Sequence, residues 1–533
     1  MIKYYFLLVV VSLLAAHLAS AQPVNTLIDN QNSPNEVSIA INPKHTNELV
    51  AGANLNFVYH STDGGLSWNK HVMTSQSGVW GDPTIICDTN GHFYYFHLSN
   101  PNGGWGTPNF LDRIVCQKST DGGLTWPGDY YLGSNTNNKI EDKQWTCVDP
   151  TTNTIYASWT QFDHYENIPF GFHVSNADSS IILFAKSVDG GVNWSNPTRI
   201  SETAGDCFDS DNTTEGAVPC VGPNGEIYIS WSNGNTIFFD RSTDYGNTWL
   251  TNDIIAATHY GGWEIVVPGM NRTNGMPVTA CDLSNSPHHG TIYINWSDTR
   301  NGSNNTDIFL ARSLDGGNTW LPTVKVNNDT DSTHQFLNWM SIDQVTGYIY
   351  IVYYDRSNHK GNDSTDVFLA VSKDGGQHFT NSKISATPFL ADPNVFIGDY
   401  INVSAYNGMV HPIWNRTDNG VTSIWTTTIQ EDLSALDYLK NNSVNYFLQC
   451  APNPIENNAV LLFQLATDLH VNVTIIDALG RELIYLRKNQ LMAKGFNQLA
   501  FNVGELGLEN GHYLIGVKTR EGRSYLPIAV LKN

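Results

Sequence analysis

STDGGLSW, residues Ser61 to Trp68, is the first of six copies of one eight-residue pattern, Ser-x-Asp-x-Gly-x-x-Trp/Phe, and this pattern decides the fold. The others read STDGGLTW (Ser119 to Trp126), SVDGGVNW (Ser187 to Trp194), STDYGNTW (Ser242 to Trp249), SLDGGNTW (Ser313 to Trp320) and SKDGGQHF (Ser372 to Phe379). Each follows an apolar, β-rich run such as Ile181 to Ala185 or Ile308 to Ala311, which places it at a hairpin turn. The second Gly never varies among the copies, as a turn with positive φ requires. Asp63, Asp121, Asp189, Asp244, Asp315 and Asp374 are expected to accept hydrogen bonds from backbone N–H groups of their turns, and the closing aromatic to fill the gap between neighbouring hairpins. That is a structural role.

Successive aspartates of the pattern lie 58, 68, 55, 71 and 59 residues apart, longer than the ~40 to 50 residues of common propeller repeats, which leaves room for long loops. Around each copy the same strands recur: an inner one, a second one rich in Tyr and Trp, and the strand entering the turn. The inner strands read SIAIN (from Ser38), TIICD (Thr84), TCVD (Thr146), PCVG (Pro219), TACD (Thr279), MSID (Met340) and INVSA (Ile401). The eight-residue pattern resembles the Asp boxes of sialidase-like propellers, and the resemblance covers most of the chain.

Seven inner strands against six boxes leave one unit, Ile401 to Ile429, short of its fourth strand. Thr26 to Asn30 (TLIDN) resembles the strands that follow boxes, such as Val324 to Asn328 (VKVNN), and is expected to supply it. Pairing the first segment with the last blade removes the open sheet edges that invite aggregation. The expected fold class is therefore all-β: an Asp-box β-propeller of seven blades, with six as the alternative, followed by a small C-terminal β-sandwich.

The ends read as addressing signals. Met1 to Ala21 has Lys3, an apolar core from Phe6 to Ala16 and a small-residue site Ala19-Ser20-Ala21, the plan of a secretory signal peptide. No other stretch approaches the ~18 consecutive apolar residues of a transmembrane helix, so no transmembrane anchor is expected. The propeller is assigned to 22–430, a linker to 431–445 and a separate unit to 446–533. In that unit Ala451-Pro-Asn-Pro454, the alternating run Val471 to Ile476, Asp477-Ala-Leu-Gly-Arg481, Gly495-Phe-Asn-Gln498 and Gly511-His-Tyr-Leu514 read as short strands between turns. These landmarks resemble, in order, those of the C-terminal sorting domain of the type IX secretion system; a generic adhesive or carbohydrate-binding sandwich is the alternative. The resemblance implies the type IX secretion machinery as a partner and a secreted or outer-cell-surface location.

Residues 22–445 carry 19 Lys/Arg and 43 Asp/Glu, a net of −24. Such a surface repels nucleic acid and anionic membranes, and it repels sialic acid unless a local basic pocket intervenes. Seven cysteines cannot all pair internally. Cys87, Cys147, Cys220 and Cys281 fall in inner strands, where a thiol packs as core; Cys207 and Cys220 flank one loop and are a candidate bridge. No Cys-x-x-Cys or His-x-x-x-His spacing points to zinc. No cofactor is required by any motif. Calcium is the one cation the acidic loops suit, either at the inner-strand entries or at Asp206, Asp209 and Asp211, and the metal ligands stay unassigned.

The resemblance implies that the boxes face away from the active site, which puts the loops entering the inner strands around the channel mouth. Those loops carry a recurrent acid: Glu36, Asp82, Asp142, Glu215 and Asp399. Trp80, Trp145, Trp339 and Tyr400 stand close by and suit stacking on sugar rings. Converging carboxylates serve general acid and base in glycoside hydrolysis, hold a hard cation, or cap backbone N–H groups of the next blade. Arg300, Arg356 and Arg416 end the second strands of the last three units and match in number the arginines with which a sialidase grips its substrate carboxylate; adjacent Asp298, Asp355 and Asp418 offer simple ion pairing instead. The Arg-Ile-Pro motif of sialidases is missing, since the first arginine is Arg113 in Asp112-Arg-Ile-Val115. Tyr400 is the most plausible place for a sialidase-type nucleophile, but its neighbour is Asp399 rather than a glutamate.

The resulting expectation is a secreted or cell-surface propeller that binds a glycan or another surface ligand without conventional sialidase catalysis. The alternative is an exo-sialidase or other glycoside hydrolase acting at the channel mouth through Asp82, Asp399 and Tyr400. His288-His289 reads as part of a solvated turn, and Asp163-His-Tyr-Glu166 as an exposed loop on the candidate face.

Overall fold

The computed structural model describes residues 24–135, 139–164, 174–431, 448–465, 467–477, 481–520 and 522–532. The expected leader, nearly all of the expected linker, and Tyr165 and Glu166 lie outside the described residues.

Among the described residues, seven four-stranded antiparallel sheets follow one another along the chain, so the ring has seven blades and the six-bladed alternative falls. Blade 2 shows the plan: Gly81–Cys87, Phe93–Leu98, Ile114–Ser119 and Tyr130–Leu132 pair in sequence order. Its second strand, FYYFHL, is buried along its whole length. That is why these strands read as unbroken apolar and aromatic runs rather than alternating ones: both faces pack on neighbouring blades.

Blade 7 consists of Asn402–Tyr406, Met409–Asp418 and Val421–Thr427, and its fourth strand is Asn25–Asp29. Asn25 stands opposite Thr427 and Leu27 opposite Trp425. Asp29 then anchors this strand to blade 1, accepting from the Tyr59 hydroxyl at 2.8 Å and pairing with Lys70.

All six boxes build the same turn. In the second, Ser119 Oγ donates to Asp121 Oδ1 at 2.8 Å and accepts the Gly123 N–H at 2.9 Å, while Asp121 takes the Thr125 N–H and hydroxyl at 2.9 and 2.6 Å. The closing indole packs on the preceding blade. Trp194 meets Phe96, Trp249 meets Phe184 and Trp320 meets Phe239 edge-on, with ring centroids 5.9, 4.8 and 5.2 Å apart, each pair worth about 0.5–1.5 kcal/mol beyond area burial.

Beyond the propeller, Leu448–Ala451, Asn458–Leu465 and Gly495–Asn502 form one sheet, and Glu482–Met492, Leu469–Ile476, Gly511–Lys518 and Arg523–Val530 another. The two enclose a core of their own, with Leu461, Phe463, Val471, Val473, Ile515 and Val517 at its centre.

All seven cysteines are free thiols, and the Cys207–Cys220 bridge does not form. The reason is packing: Cys207 belongs to the apolar cluster around Trp159 and Phe162, whereas Cys220 turns towards blade 5 beside Tyr228 and Cys281.

Candidate functional site

Most inner strands begin with a bulge. In blades 2, 3, 4 and 6 the ladder skips at Gly81/Thr84, Asp142/Trp145, Glu215/Val218 and Phe336/Trp339. Six of the seven entries hold a residue of positive φ: Glu36 (49°), Asp82 (52°, after Gly81 at 120°), Lys143 (52°), Gly216 (79°), Leu337 (50°) and Gly398 (100°). For a side chain larger than Gly this left-handed conformation costs on the order of 1–3 kcal/mol and persists where the surroundings over-determine it. The recurrent acids therefore do not occupy one repeated position. Glu36 and Asp82 sit on the positive-φ residue, Asp142 and Glu215 precede it, and Asp399 follows it, so the five carboxylates point differently and make one asymmetric site.

Four of them, Glu36, Asp82, Asp142 and Asp399, line a cavity of about 690 Å³ together with Lys143, Asp209 and Arg272, with Trp80, Trp105 and Phe396 among its apolar walls. At its base Lys143 Nζ lies 2.6 Å from Asp399 Oδ2 and 3.8 Å from Asp82 Oδ2. Arg272 grips Asp399 through Nε at 2.7 Å and through a second guanidinium nitrogen, and donates to Asp209 Oδ2 at 2.8 Å. Glu36 accepts the Asp399 N–H at 3.1 Å, the one case in which a recurrent acid caps the neighbouring blade, and also takes the Asn54 amide. Glu215 is fully buried, and neither of its carboxylate oxygens has a hydrogen-bond partner.

These surroundings split the protonation states. Burial pushes Asp399 up, but Arg272 and Lys143 outweigh it and hold the carboxyl well below its usual range. Burial pushes Asp142 up to about 8, opposed by Lys143 and reinforced by Asp82. Burial first, then the neighbouring Asp82, raises Glu36, and burial with Asp209 raises Glu215. Of these three raised carboxyls, Asp142 and Glu36 share the cavity with the ionised Asp399, an arrangement able to deliver and accept protons.

Beneath the cavity the channel is closed by an aromatic stack. Trp145 lies 4.1 Å from Trp339 and 4.9 Å from Tyr400, centroid to centroid. Tyr400 is buried, and its phenol is held neutral by burial first and then by the neighbouring carboxyls of Asp82, Glu36 and Asp399. Of the residues singled out from sequence, Asp82, Asp399 and Trp80 therefore line the cavity, while Tyr400, Trp145 and Trp339 form the plug below it.

Arg300, Arg356 and Arg416 lie elsewhere. Arg300 pairs with Asp298 at 2.7 Å and covers Phe309; Arg416 pairs with Asp418 at 2.6 Å. Arg416 and Asp418 share the strand Met409–Asp418 and project from one face of it, whereas Arg300 lies in the turn after Asp298, which also accepts its backbone N–H at 3.1 Å. Arg356 follows the strand that ends at Asp355; Asp355 turns to Ser357, and Arg356 donates to Pro268 O at 2.7 Å and to Asp363 at 3.3 Å. The cavity's own cations, Arg272 and Lys143, were missed. Their signal was positional: Lys143 directly follows a recurrent acid, and Arg272 stands in the entry to the inner strand of blade 5, where no acid was found.

Asp206, Asp209 and Asp211 turn to separate partners, respectively the Thr213 hydroxyl, Arg272 and the Glu264 N–H. Among the described residues no group of three or more His, Cys, Asp or Glu side chains is arranged to hold a metal ion.

A sialidase of Bacteroides fragilis is 26% identical to this chain over 327 residues, 54% of this chain and 52% of the sialidase. The fold is a sialidase-like β-propeller. A xyloglucanase of Acetivibrio thermocellus is 24% identical over 318 residues, covering 56% of this chain and 32% of the xyloglucanase. The chain thus spans about half the length of the first curated relative and a third of the second. Among solved structures, a Hadza microbial sialidase shares 15% identity over 72% of this chain and 73% of its own, with a TM-score of 0.39. No protein-family model matches. In this sialidase-like propeller a single arginine, Arg272, lines the cavity, against the three that the resemblance implied.

Proposed function

We propose that the chain is a secreted or cell-surface propeller that binds a neutral glycan in the central cavity, without conventional sialidase catalysis. One observation carries this reading: both cations at the cavity are already paired, Arg272 with Asp399 and Asp209, Lys143 with Asp399. A ligand carboxylate would have to displace those carboxylates, in a cavity where acids outnumber bases. Sugar hydroxyls fit better, donating to Asp82 and Asp142, while Trp80 and Trp105, with ring centroids 6.2 Å apart, offer apolar faces to the C–H side of a pyranose ring.

The test is equilibrium binding of neutral and sialylated oligosaccharides to residues 22–430. Saturable binding of a neutral member, weakened in Trp80→Ala, supports the reading; preference for the sialylated ligands sinks it.

A second reading, an exo-sialidase or other glycoside hydrolase, is favoured by the opposed protonation states of Asp142 and Asp399. Asp142 would serve as the acid, Asp82 or Asp399 as the carboxylate partner, and Tyr400 would enter only if the plug opened. Release of sugar product that disappears in Asp142→Asn separates hydrolysis from binding. For residues 446–533 we propose type IX export, on the ordered landmarks named above; a reporter fused to this segment should reach the cell surface of a type IX-competent host and stay in the periplasm without it.

A further inference from the structure

The strand Ile140–Val148 starts at the central cavity and ends at Asp149, on the opposite face of the ring. There a second cavity of about 460 Å³ opens between the hairpins of blades 3, 4 and 5, with Asp149, Thr151, Asn224, Tyr245 and His289 on its walls. None of these residues belongs to the site already described.

Tyr245 is the anomaly. It is the third residue after the box serine, where the five sister boxes carry Gly64, Gly122, Gly190, Gly316 and Gly375, all at φ between 70° and 75°. Tyr245 adopts the same left-handed conformation, φ 61°, which a bulky side chain disfavours. A glycine would satisfy the turn without strain, so the turn does not explain the tyrosine. Its ring is nevertheless set in place: a Cβ on Gly225 would come 2.2 Å from Tyr245 Cε1, so the ring rests directly on the glycine backbone of its own blade's hairpin. Its backbone carbonyl is held by Lys186 Nζ at 2.7 Å. About half of the residue, 49%, stays exposed beside the cavity.

The polar groups around it are fixed as well. Asp149 takes the Thr151 N–H and the Thr152 hydroxyl, both at 2.7 Å. His289 Nδ1 lies 2.7 Å from the Ser284 carbonyl, which requires a proton on Nδ1 and, in the neutral ring, leaves Nε2 as an acceptor. His288 turns the other way and packs against Gly375 of the blade 6 box, so the two histidines of this turn divide between packing and the cavity.

We propose that this cavity on the box face is a second carbohydrate subsite, in which the preorganised Tyr245 ring stacks on a neutral pyranose while the walls of blades 3 and 5 meet its hydroxyls. A rigid aromatic face flanked by donors and acceptors matches the two-sided chemistry of a pyranose, apolar across its C–H face and polar at its edge.

The experiment uses Trp80→Ala protein, in which the central cavity is impaired, and Tyr245→Gly added to it. Cellotetraose, xylotetraose and mannotetraose are the probes, read by ligand-observed NMR and by titration, with thermal melting in parallel. Trp80→Ala should still bind one of the three, and Trp80→Ala/Tyr245→Gly should bind it roughly tenfold more weakly or not at all. The double variant should melt no lower, since glycine relieves the turn. Equal binding by both proteins overturns the proposal, as does failure of Trp80→Ala to bind any of the three. Failure of the central-site reading appears separately, as wild-type binding unaffected by Trp80→Ala.

Discussion

Lys143 of blade 3 places its ammonium 2.6 Å from the Asp399 carboxylate of blade 7, joining residues 256 positions apart across the channel mouth. Both are buried, and Arg272 completes the grip from blade 5. Three blades that share no hydrogen-bonded strands are thereby tied at one carboxylate.

Removing one partner from such a buried pair should be costly, because the charge left behind has no solvent to replace it. Lys143→Met is expected to destabilise the propeller by about 3 kcal/mol or more. Combining it with Asp399→Asn should cost much less than the sum of the two single changes. Chemical denaturation of the four proteins in a double-mutant cycle measures this, and strict additivity would contradict the coupling.

Stability should fall as pH rises from about 4 to about 8. Asp142 keeps its proton in the fold up to about 8, faced by Lys143, Asp82 and Asp209, but loses it near 3.8 when unfolded. Between those values the folded state binds more protons than the unfolded one, so stability declines with pH. Half-buried Asp253, raised to about 8 by desolvation and by its hydrogen bond with Glu202, acts in the same direction. Below 3.8 the sign reverses, because box aspartates such as Asp244, held at about 2 mainly by the Ser242 hydroxyl and by Thr248, lose their hydrogen bonds on protonation. Melting temperature against pH should peak in mild acid, and Asp142→Asn should flatten the alkaline side of the curve.

Ser119→Ala should cost about 1–3 kcal/mol, since it removes a buried hydroxyl and leaves the Gly123 N–H without its acceptor. Unfolding monitored by denaturant tests the value. An unchanged midpoint would mean that water replaces the hydroxyl.

Deleting residues 25–29 should expose the edge of Val421–Thr427 along the register that now pairs with it. An uncovered strand edge recruits other chains, so the expected outcome is a lower melting temperature with aggregation. Light scattering during heating reads both, and a monomeric, equally stable deletion variant would refute the closure argument.

Trp80→Ala, the variant used for the central cavity, should leave the melting temperature within a few degrees of wild type, because this indole packs mainly on Trp105 and Phe110 at the cavity wall. A collapse of the fold would instead make Trp80 part of the core.

The sequence by itself determined the repeat. A box serine, aspartate, glycine and aromatic act within eight residues, so their hydrogen bonds are local and their recurrence counts blades. The lone boxless unit and the TLIDN segment at the other end of the chain were enough to place the closing strand. The site was only half legible. Asp82, Asp399 and Trp80 could be named because loops entering inner strands must surround the channel, but Arg272 and Lys143 could not. Side chains before (Asp142), on (Glu36, Asp82, Lys143) and after (Asp399) the positive-φ residue all reach the cavity, so no single sequence offset marks its lining. Arg300, Arg356 and Arg416 failed because each is taken up locally, Arg300 by Asp298, Arg416 by Asp418, and Arg356 by the Pro268 carbonyl and Asp363. Contacts such as Lys143 with Asp399 arise only when seven blades close into a ring, and that closure is a property of the whole fold.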